Sequence, residues 1–268
     1  MPELPEVETV RLGLEPRLLN TKILSASLVD AKPHKKYKDL ELSVGQSIKA
    51  VKRRGKFLIL KLSGNLDLII HLGMTGVLAF EPFEKHTRVK LEFANENLYF
   101  QDLRRFGRFL VVPAGNYQSM PTLHHMGPEP LADAFNPKQF HKALKKTQTA
   151  IKTYILSQRP VAGLGNIYVD EALWRAKIHP KTAANKLKKA KAHALVPIIK
   201  EILSASLEAQ GTTLNDYRTV EGDSGEYAAA LQVYGRKGLS CHRCAKKIER
   251  IVVAGRGTHI CPNCQKLF

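Results

Sequence analysis

The chain begins MPELPEVETV (Met1–Val10), and behind Pro2 and Pro5 the apolar residues Val7, Val10, Leu14 and Leu18 recur three or four positions apart. That spacing predicts an amphipathic helix over 3–19 with prolines at its start, where a missing backbone N–H costs nothing. Glu3, Glu6 and Glu8 crowd the same stretch, against the character of everything that follows. The 268-residue chain carries 42 Lys+Arg against 24 Asp+Glu, a formal charge of +18. Its pI is about 9.8. Such a balance points to a polyanionic partner, nucleic acid before others, with a surface of solvated lysines as the plainer alternative.

Outward from the opening helix, residues 21–112 are short β-branched and aliphatic runs: KILSASLV, SIKAVKR, KFLILKL, LDLIIHL, GVLAF, RVKLEF, NLYF and RFLVV. Turn residues such as SGN and ANEN separate them, which predicts an antiparallel two-sheet sandwich or barrel. A Pro/Gly-rich passage, MPTLHHMGPEPLADAFNP (120–137), then leads into helical patterns: FHKALKKTQTAIKTYILSQ, NIYVDEALWRAKI and a long stretch near 188–209. The expected division is a β-sandwich domain with its leading helix over 2–115, a linker over 116–135, a helical domain over 136–230 and a terminal segment over 231–268. The first residues lack the layout of a signal peptide, and no apolar run reaches the roughly 18 residues of a membrane span. The expectation is a soluble cytoplasmic protein.

All four cysteines, Cys241, Cys244, Cys261 and Cys264, fall in the last 28 residues as two C-x2-C pairs 16 residues apart. In a reducing compartment that pattern predicts one structural zinc held by four thiolates, on a segment too small to fold on its own core. Between the pairs, Arg256 sits in a basic turn, as a groove-inserted arginine or an ordinary exposed one. Asn166, in VAGLGNIYVDEALW, suits the N-cap of a helix whose free N–H groups can meet a phosphate; a plain helix–turn–helix corner is the alternative. Arg104 and Phe106 in DLRRFGRF, with Met74 in HLGM, combine arginine and apolar wedges as groove insertion requires, although core packing is the usual fate of Met and Phe. Residues 176–200 hold Lys177, Lys181, Lys186, Lys188, Lys189, Lys191 and Lys200 without an acid, most simply a solvated helix face.

The small residue after Met1 predicts removal of the initiator methionine, leaving the secondary amine of Pro2 as the terminus. An α-amino group with a pKa near 8 is neutral about a fifth of the time at physiological pH, against about one part in a thousand for a lysine. A proline nitrogen condensed with an aldehyde has no proton to lose, so its iminium stays cationic and acts as an electron sink. Glu3 and Glu6, three apart on the first turn, can share that neighbourhood for proton transfer, or can simply be acids favouring a helix start. Lys56, in RRGKF, can supply a cation to a leaving group or be a solvated strand lysine.

PELPEVETV, RRGKF, HLGM, DLRRFG, HxGPEPL, VAGLGNIYVDEALW, LQVYGRKG and the four-cysteine ending together resemble, in order and over essentially the whole chain, the motifs of the bacterial formamidopyrimidine-DNA glycosylase family. The sister enzyme endonuclease VIII is similar in layout but typically opens PEGPE. The resemblance implies an α+β chain: an antiparallel β-sandwich with a leading α-helix, a helix–two-turn–helix domain and a β-hairpin zinc finger. It implies a monomeric base-excision-repair enzyme acting on double-stranded DNA with oxidised purines or abasic sites. Pro2 would be the nucleophile, Glu3 the general acid/base, Glu6 its supporting carboxylate, and Lys56 would act near the leaving base. Met74, Arg104 and Phe106 would fill the gap left by an extruded base, while His71, Lys152, Asn166, Tyr234 and Arg256 would hold the kinked backbone. The segment 218–229 would be a lid for the flipped base, or a surface loop. A non-enzymatic zinc-finger binder and a pyrimidine-directed glycosylase are the rival readings.

Overall fold

In a computed structural model, described over residues 1–29 and 36–267, the chain forms two compact units. One comprises Met1–His124 and Leu207–Ala228, the other His125–Ser206 and Ala229–Phe268. The division differs from the expected helical domain over 136–230, because Leu207–Ala228 packs with the first unit.

The first unit opens with helix α1, Leu4–Leu18, whose residues Leu4, Val7, Val10, Leu14 and Leu18 are all buried, as the three-four spacing requires. Nine strands follow among the described residues: β1 Ser25–Leu28, β2 Tyr37–Lys38, β3 Ile48–Arg54, β4 Phe57–Leu62, β5 Leu66–His71, β6 Gly76–Ala79, β7 Thr87–Glu92, β8 Asn97–Asp102 and β9 Arg108–Pro113. They make a four-stranded sheet, β1-β7-β8-β6, and a five-stranded sheet, β2-β9-β5-β4-β3. Every pairing is antiparallel except the short one of β2 with β9, and β2 is the strand that the apolar runs do not announce. Leu58, Leu60, Leu68, Ile70 and Phe109 of the larger sheet share one core with Leu78, Val89, Leu91 and Phe100 of the smaller. Burial on this scale stabilises by about 25 cal/mol for each Å2 of apolar surface removed from water.

Residues 207–228 close this unit from the far end of the sequence. Tyr217 and Val220 join the same core, and the Cγ2 of Val220 would lie 2.3 Å from a Cβ placed on Gly13 of α1. Only glycine admits that approach. The segment expected as a lid is therefore anchored at its start on α1, while Glu221–Ser224 at its tip stays exposed.

The second unit holds α3 Pro137–Leu144, α4 Ile151–Leu156, α5 Asn166–Arg175 and most of α6 Lys189–Glu208; a short α2, Pro121–His124, precedes it in the first unit. The run FHKALKKTQTAIKTYILSQ reads as one helix but is two. Lys145 closes α3, and the chain turns through Thr147 and Thr149 before α4, where Ala150 bridges to Ala183. Strands β10 Glu249–Val253 and β11 Arg256–Ile260 form the terminal hairpin, with residues 254 and 255 as its turn. Both turn residues have positive φ, 47° at Ala254 and 75° at Gly255, the mirror-image turn whose twist matches paired strands.

Candidate active site and metal centre

At the head of α1, Met1 is 44% exposed while Pro2, Glu3 and Glu6 are buried. Glu3 is the N-cap, and its reciprocal bonds with Glu6 form a capping box. One carboxylate oxygen of Glu6 accepts the Glu3 N–H at 2.7 Å, and the other accepts the Thr212 N–H at 2.7 Å. Gly211, at φ 89°, brings that second donor close enough that a Cβ there would stand 2.9 Å from the Glu6 side chain. Glu6 thus ties the first turn of α1 to the segment 207–228.

Lys56 lies in the two-residue turn between β3 and β4, beside Gly55 at φ 54°. It is 7% exposed, which excludes the solvated strand lysine. Its turn is fastened back to α1: the Arg53 guanidinium donates to the Gly55 carbonyl at 3.1 Å and to Glu8 at 2.6 Å, and Arg11 donates to the other Glu8 oxygen at 2.7 Å. Glu8, Arg11 and Arg53 escaped the sequence reading. The available signal was a third acid in the same stretch, two residues after Glu6 and three before Arg11.

His71 ends β5 against the Phe57 ring, 4.6 Å between centroids. Burial, with Lys56 and Arg108 nearby, lowers its pKa to about 3, so the ring is neutral at physiological pH. Its Nδ1 accepts the Gly73 N–H at 3.2 Å, which leaves the proton on Nε2 and makes His71 an uncharged donor.

Met74, Arg104 and Phe106 escape the core packing that is usual for Met and Phe, and all three are exposed; Met74 is 37% and Phe106 45% accessible. Arg104 stacks over the Phe106 ring at 4.7 Å and Lys36 lies 5.3 Å from the same ring. The two loops that carry them meet at Gly73, φ 66°, where a Cβ would fall 2.5 Å from the Gly107 nitrogen. Asp102, fully buried, sets their shape. It accepts from the Gly107 N–H at 2.7 Å, the Thr75 hydroxyl at 2.7 Å and the Tyr37 hydroxyl at 3.2 Å. Thr75 in turn accepts the Arg104 N–H at 3.1 Å.

In the second unit, Asn166 is not the N-cap of α5; Gly165 is, and Asn166 is the first helical residue. Its side-chain amide donates to the Gly257 carbonyl at 2.9 Å, joining the start of α5 to the hairpin turn. The Gly-Leu-Gly loop before it is shaped by Gln158, which accepts the Gly163 N–H and donates to the Leu164 carbonyl, each at 2.7 Å. Lys152, expected against a DNA backbone, is 0% exposed and turned inward. Its ammonium donates to Asp170 at 2.7 Å, Thr258 Oγ1 at 2.8 Å and the Gly257 carbonyl at 3.3 Å, so its donors are spent on holding the hairpin. Asp170 also accepts the His259 N–H at 2.8 Å. The adjacent Glu171 accepts backbone N–H groups of Gln232, Val233 and Tyr234, which orients the half-buried Tyr234 with its ring against His259 at 4.9 Å. Burial nevertheless raises the Glu171 pKa. Arg256 is exposed as the first residue of β11, one position past the turn rather than inside it.

The four cysteine sulfurs lie within 4.8 Å of one another. Separations of 3.5 Å between Cys244 and Cys261, 3.6 Å between Cys244 and Cys264 and 4.0 Å between Cys241 and Cys264 bracket the edge of about 3.8 Å that a tetrahedron of Zn–S bonds near 2.3 Å requires. Behind them, Gln265 accepts the Cys261 N–H at 3.0 Å and donates to the Ile178 carbonyl at 2.9 Å, and Arg243 covers the Trp174 ring at 3.8 Å. The donor set fits one structural zinc.

Three family models match the chain: the formamidopyrimidine-DNA glycosylase N-terminal domain over 1–109, the formamidopyrimidine-DNA glycosylase H2TH domain over 126–218, and the zinc finger found in FPG and IleRS over 238–267. Formamidopyrimidine-DNA glycosylase of Thermus thermophilus is 45% identical over 99% of this chain and 98% of its own length. That of Deinococcus radiodurans is 44% identical over 100% of this chain and 98% of its own. The crystal structure of the MutM (Fpg) protein of Thermus thermophilus superposes with a TM-score of 0.93 at 44% identity, covering 98% of each chain. A Lactococcus lactis Fpg variant solved with DNA containing Fapy-dG superposes with a TM-score of 0.89 at 40% identity, covering 99% of this chain and 100% of that one. The chain belongs to the formamidopyrimidine-DNA glycosylase family.

Proposed function

We propose that this protein is a DNA glycosylase and abasic-site lyase that removes oxidised purines, 8-oxoguanine and formamidopyrimidines, from double-stranded DNA. The observation that carries the reading is the head of α1: Pro2 and Glu3 enclosed beneath an exposed Met1, with Glu6 held from both sides by backbone N–H groups. A capping box accounts for the bond between Glu6 and the Glu3 N–H; the near-complete burial of both acids and the second bond, to Thr212, go beyond what a helix start requires.

In this reading the Pro2 amine, freed of Met1, attacks C1′ of the extruded nucleotide and the bond from C1′ to the base breaks. Glu3 moves protons at the sugar while Glu6 holds it in place, and the departing base gains its proton beside Lys56. Once the sugar ring opens, the iminium withdraws electrons so that the C2′ proton can leave. The 3′ phosphate and then the 5′ phosphate depart by β- and δ-elimination, and water releases the proline. Arg104, Phe106 and Met74 fill the vacated stack. His71 offers a neutral N–H to a phosphate, Arg256 and Asn166 face the backbone, and Lys152 and Tyr234 serve by fixing the hairpin and the turn before it. The related MutM and Lactococcus lactis Fpg structures containing carbocyclic 8-oxoG, Fapy-dG and abasic-site DNA support the substrate class.

Borohydride tests the covalent step. The processed, zinc-loaded protein is expected to become trapped on duplexes carrying 8-oxoguanine or an abasic site, with the adduct mapping to Pro2, while protein retaining Met1 gives none. An adduct on an interior lysine, or no adduct with processed protein, overturns the reading. Excision of thymine glycol in preference to 8-oxoguanine would replace it with the pyrimidine-directed activity.

A further inference from the structure

Beyond the residues assigned above, the second unit holds a cavity of about 320 Å3 whose rim carries Lys177, Lys186, Lys188, Lys191 and Lys266, with no acid among the described residues lining it. Ile178 and Leu187, 3% and 5% exposed, also line it. None of Lys177, Lys186, Lys188 and Lys266 is ion-paired among the described residues, and the Lys191 ammonium is fixed by the Ala176 carbonyl at 2.9 Å. Two of these lysines flank the start of the 20-residue helix α6, which has no acid in its first turn. Cations there oppose the positive end of the helix dipole, an arrangement that costs stability until a counter-charge arrives. A solvated lysine face explains exposed charges on a convex surface. It does not account for five lysines and, among the described residues, no acid lining one concave space.

The cavity is also remote from the DNA-facing end of its unit. Asn166 and the hairpin turn beside Arg256 meet at the start of α5, whereas Lys177 and Ile178 follow its end, about 15 Å along a ten-residue helix. Lys266 lies past the base of the hairpin, beyond Cys264. A duplex backbone presents phosphates along a line. Lysines lining a pocket match a compact group of several linked charges.

We propose that this cavity is a binding site for linked phosphates, a nucleotide polyphosphate or inorganic polyphosphate, distinct from the DNA-binding surface. The phosphates sit among the lysine ammonium groups, and a nucleobase, where present, lies against the lysine stems beside Ile178 and Leu187. The volume falls at the lower end of small-ligand pockets, which run from roughly 300 to 1,000 Å3.

The test is calorimetric titration of the zinc-loaded full chain with ATP and, separately, with inorganic triphosphate at about 150 mM salt, where loose surface attraction is screened. One ATP per chain is expected, with amide shifts centred on Ile178 and Leu187. The variant carrying Lys177→Gln, Lys188→Gln and Lys266→Gln should bind at least about tenfold more weakly, a change of at least ~1.4 kcal/mol. A charge-matched variant, Lys22→Gln, Lys49→Gln and Lys52→Gln, should bind as the parent does. Tighter ATP than triphosphate identifies the nucleotide as the ligand; equal affinity identifies the phosphates alone, and either result supports the site. Absence of saturable binding, equal loss in both variants, or displacement of ATP by undamaged duplex overturns it. The outcome is independent of the covalent step, since borohydride trapping does not involve these lysines.

Discussion

At the head of α1, Glu6 accepts from neutral backbone donors, the N–H groups of Glu3 and Thr212. At the hairpin, Asp170 faces the ammonium of a lysine that has no exposed surface. Both acids fasten distant stretches of sequence, yet they impose different risks. A neutral donor left without its acceptor loses a hydrogen bond, whereas a buried ammonium left without its carboxylate is an uncompensated charge. The surroundings differ in the same sense. The sandwich buries a broad two-sheet core, while the finger's Cys241, Ile248 and Cys261 form only a small cluster with Trp174 of α5 and Val233. Where apolar area is scarce, metal and ionic bonds carry the fold.

Removing the zinc should therefore expose the contrast most strongly. Structural zinc contributes about 10–16 kcal/mol to the folding of small finger segments. Chelation is expected to unfold residues 238–267 while the sandwich keeps its structure, which amide spectra of the two regions would report directly. Loss of both together would mean that the finger's metal also supports the first unit, and the contrast would fail.

Single substitutions should sharpen it at a smaller scale. Asp170→Ala, which strands the Lys152 ammonium and the His259 N–H, should cost about 3–5 kcal/mol in urea unfolding of the zinc-loaded chain. The double variant Lys152→Met, Asp170→Leu should recover most of that loss. Glu6→Ala strands two neutral N–H groups and should cost about 1–3 kcal/mol. Equal costs for Asp170→Ala and Glu6→Ala would show that the Lys152–Asp170 pair behaves as an ordinary hydrogen bond.

Much of this architecture was legible in the sequence, and the reasons are local. The period of α1, the eight apolar runs and the C-x2-C spacing each follow from one short-range rule, and each corresponds to an observed element. What escaped was decided by partners far along the chain. Lys152 reads as a cation available to phosphate until Asp170 and Thr258 enclose it. Glu8, Asp102, Glu171 and Gln158 look like surface polar residues, yet each fixes a turn or loop of the candidate site through bonds that no periodicity encodes. The strand β2 is two residues long, too short for any pattern, and it exists because β9 offers an edge. The split between α3 and α4 follows from the bridge of Ala150 to Ala183, again a distant partner.

His71 extends the contrast to a third way of enclosing a titratable group, by keeping it neutral. With its pKa lowered to about 3, the folded chain does not take up a proton that the unfolded chain binds below about 6.5. Between those values the unfolded state holds more protons, so this residue makes stability fall as pH drops from about 6.5 toward 3. Above 6.5 it has no effect of this kind. The ring keeps some exposure, so solvent relieves part of the penalty, and the loss between pH 7 and pH 5 should be about 1 kcal/mol. His71→Gln removes the titration while leaving an acceptor for the Gly73 N–H. Urea midpoints at the two pH values should therefore lie closer together in the variant than in the parent. Were the separation unchanged, the imidazole would be charged in the folded state, and the field of Lys56 and Arg108 would have to be offset by an acid facing the ring.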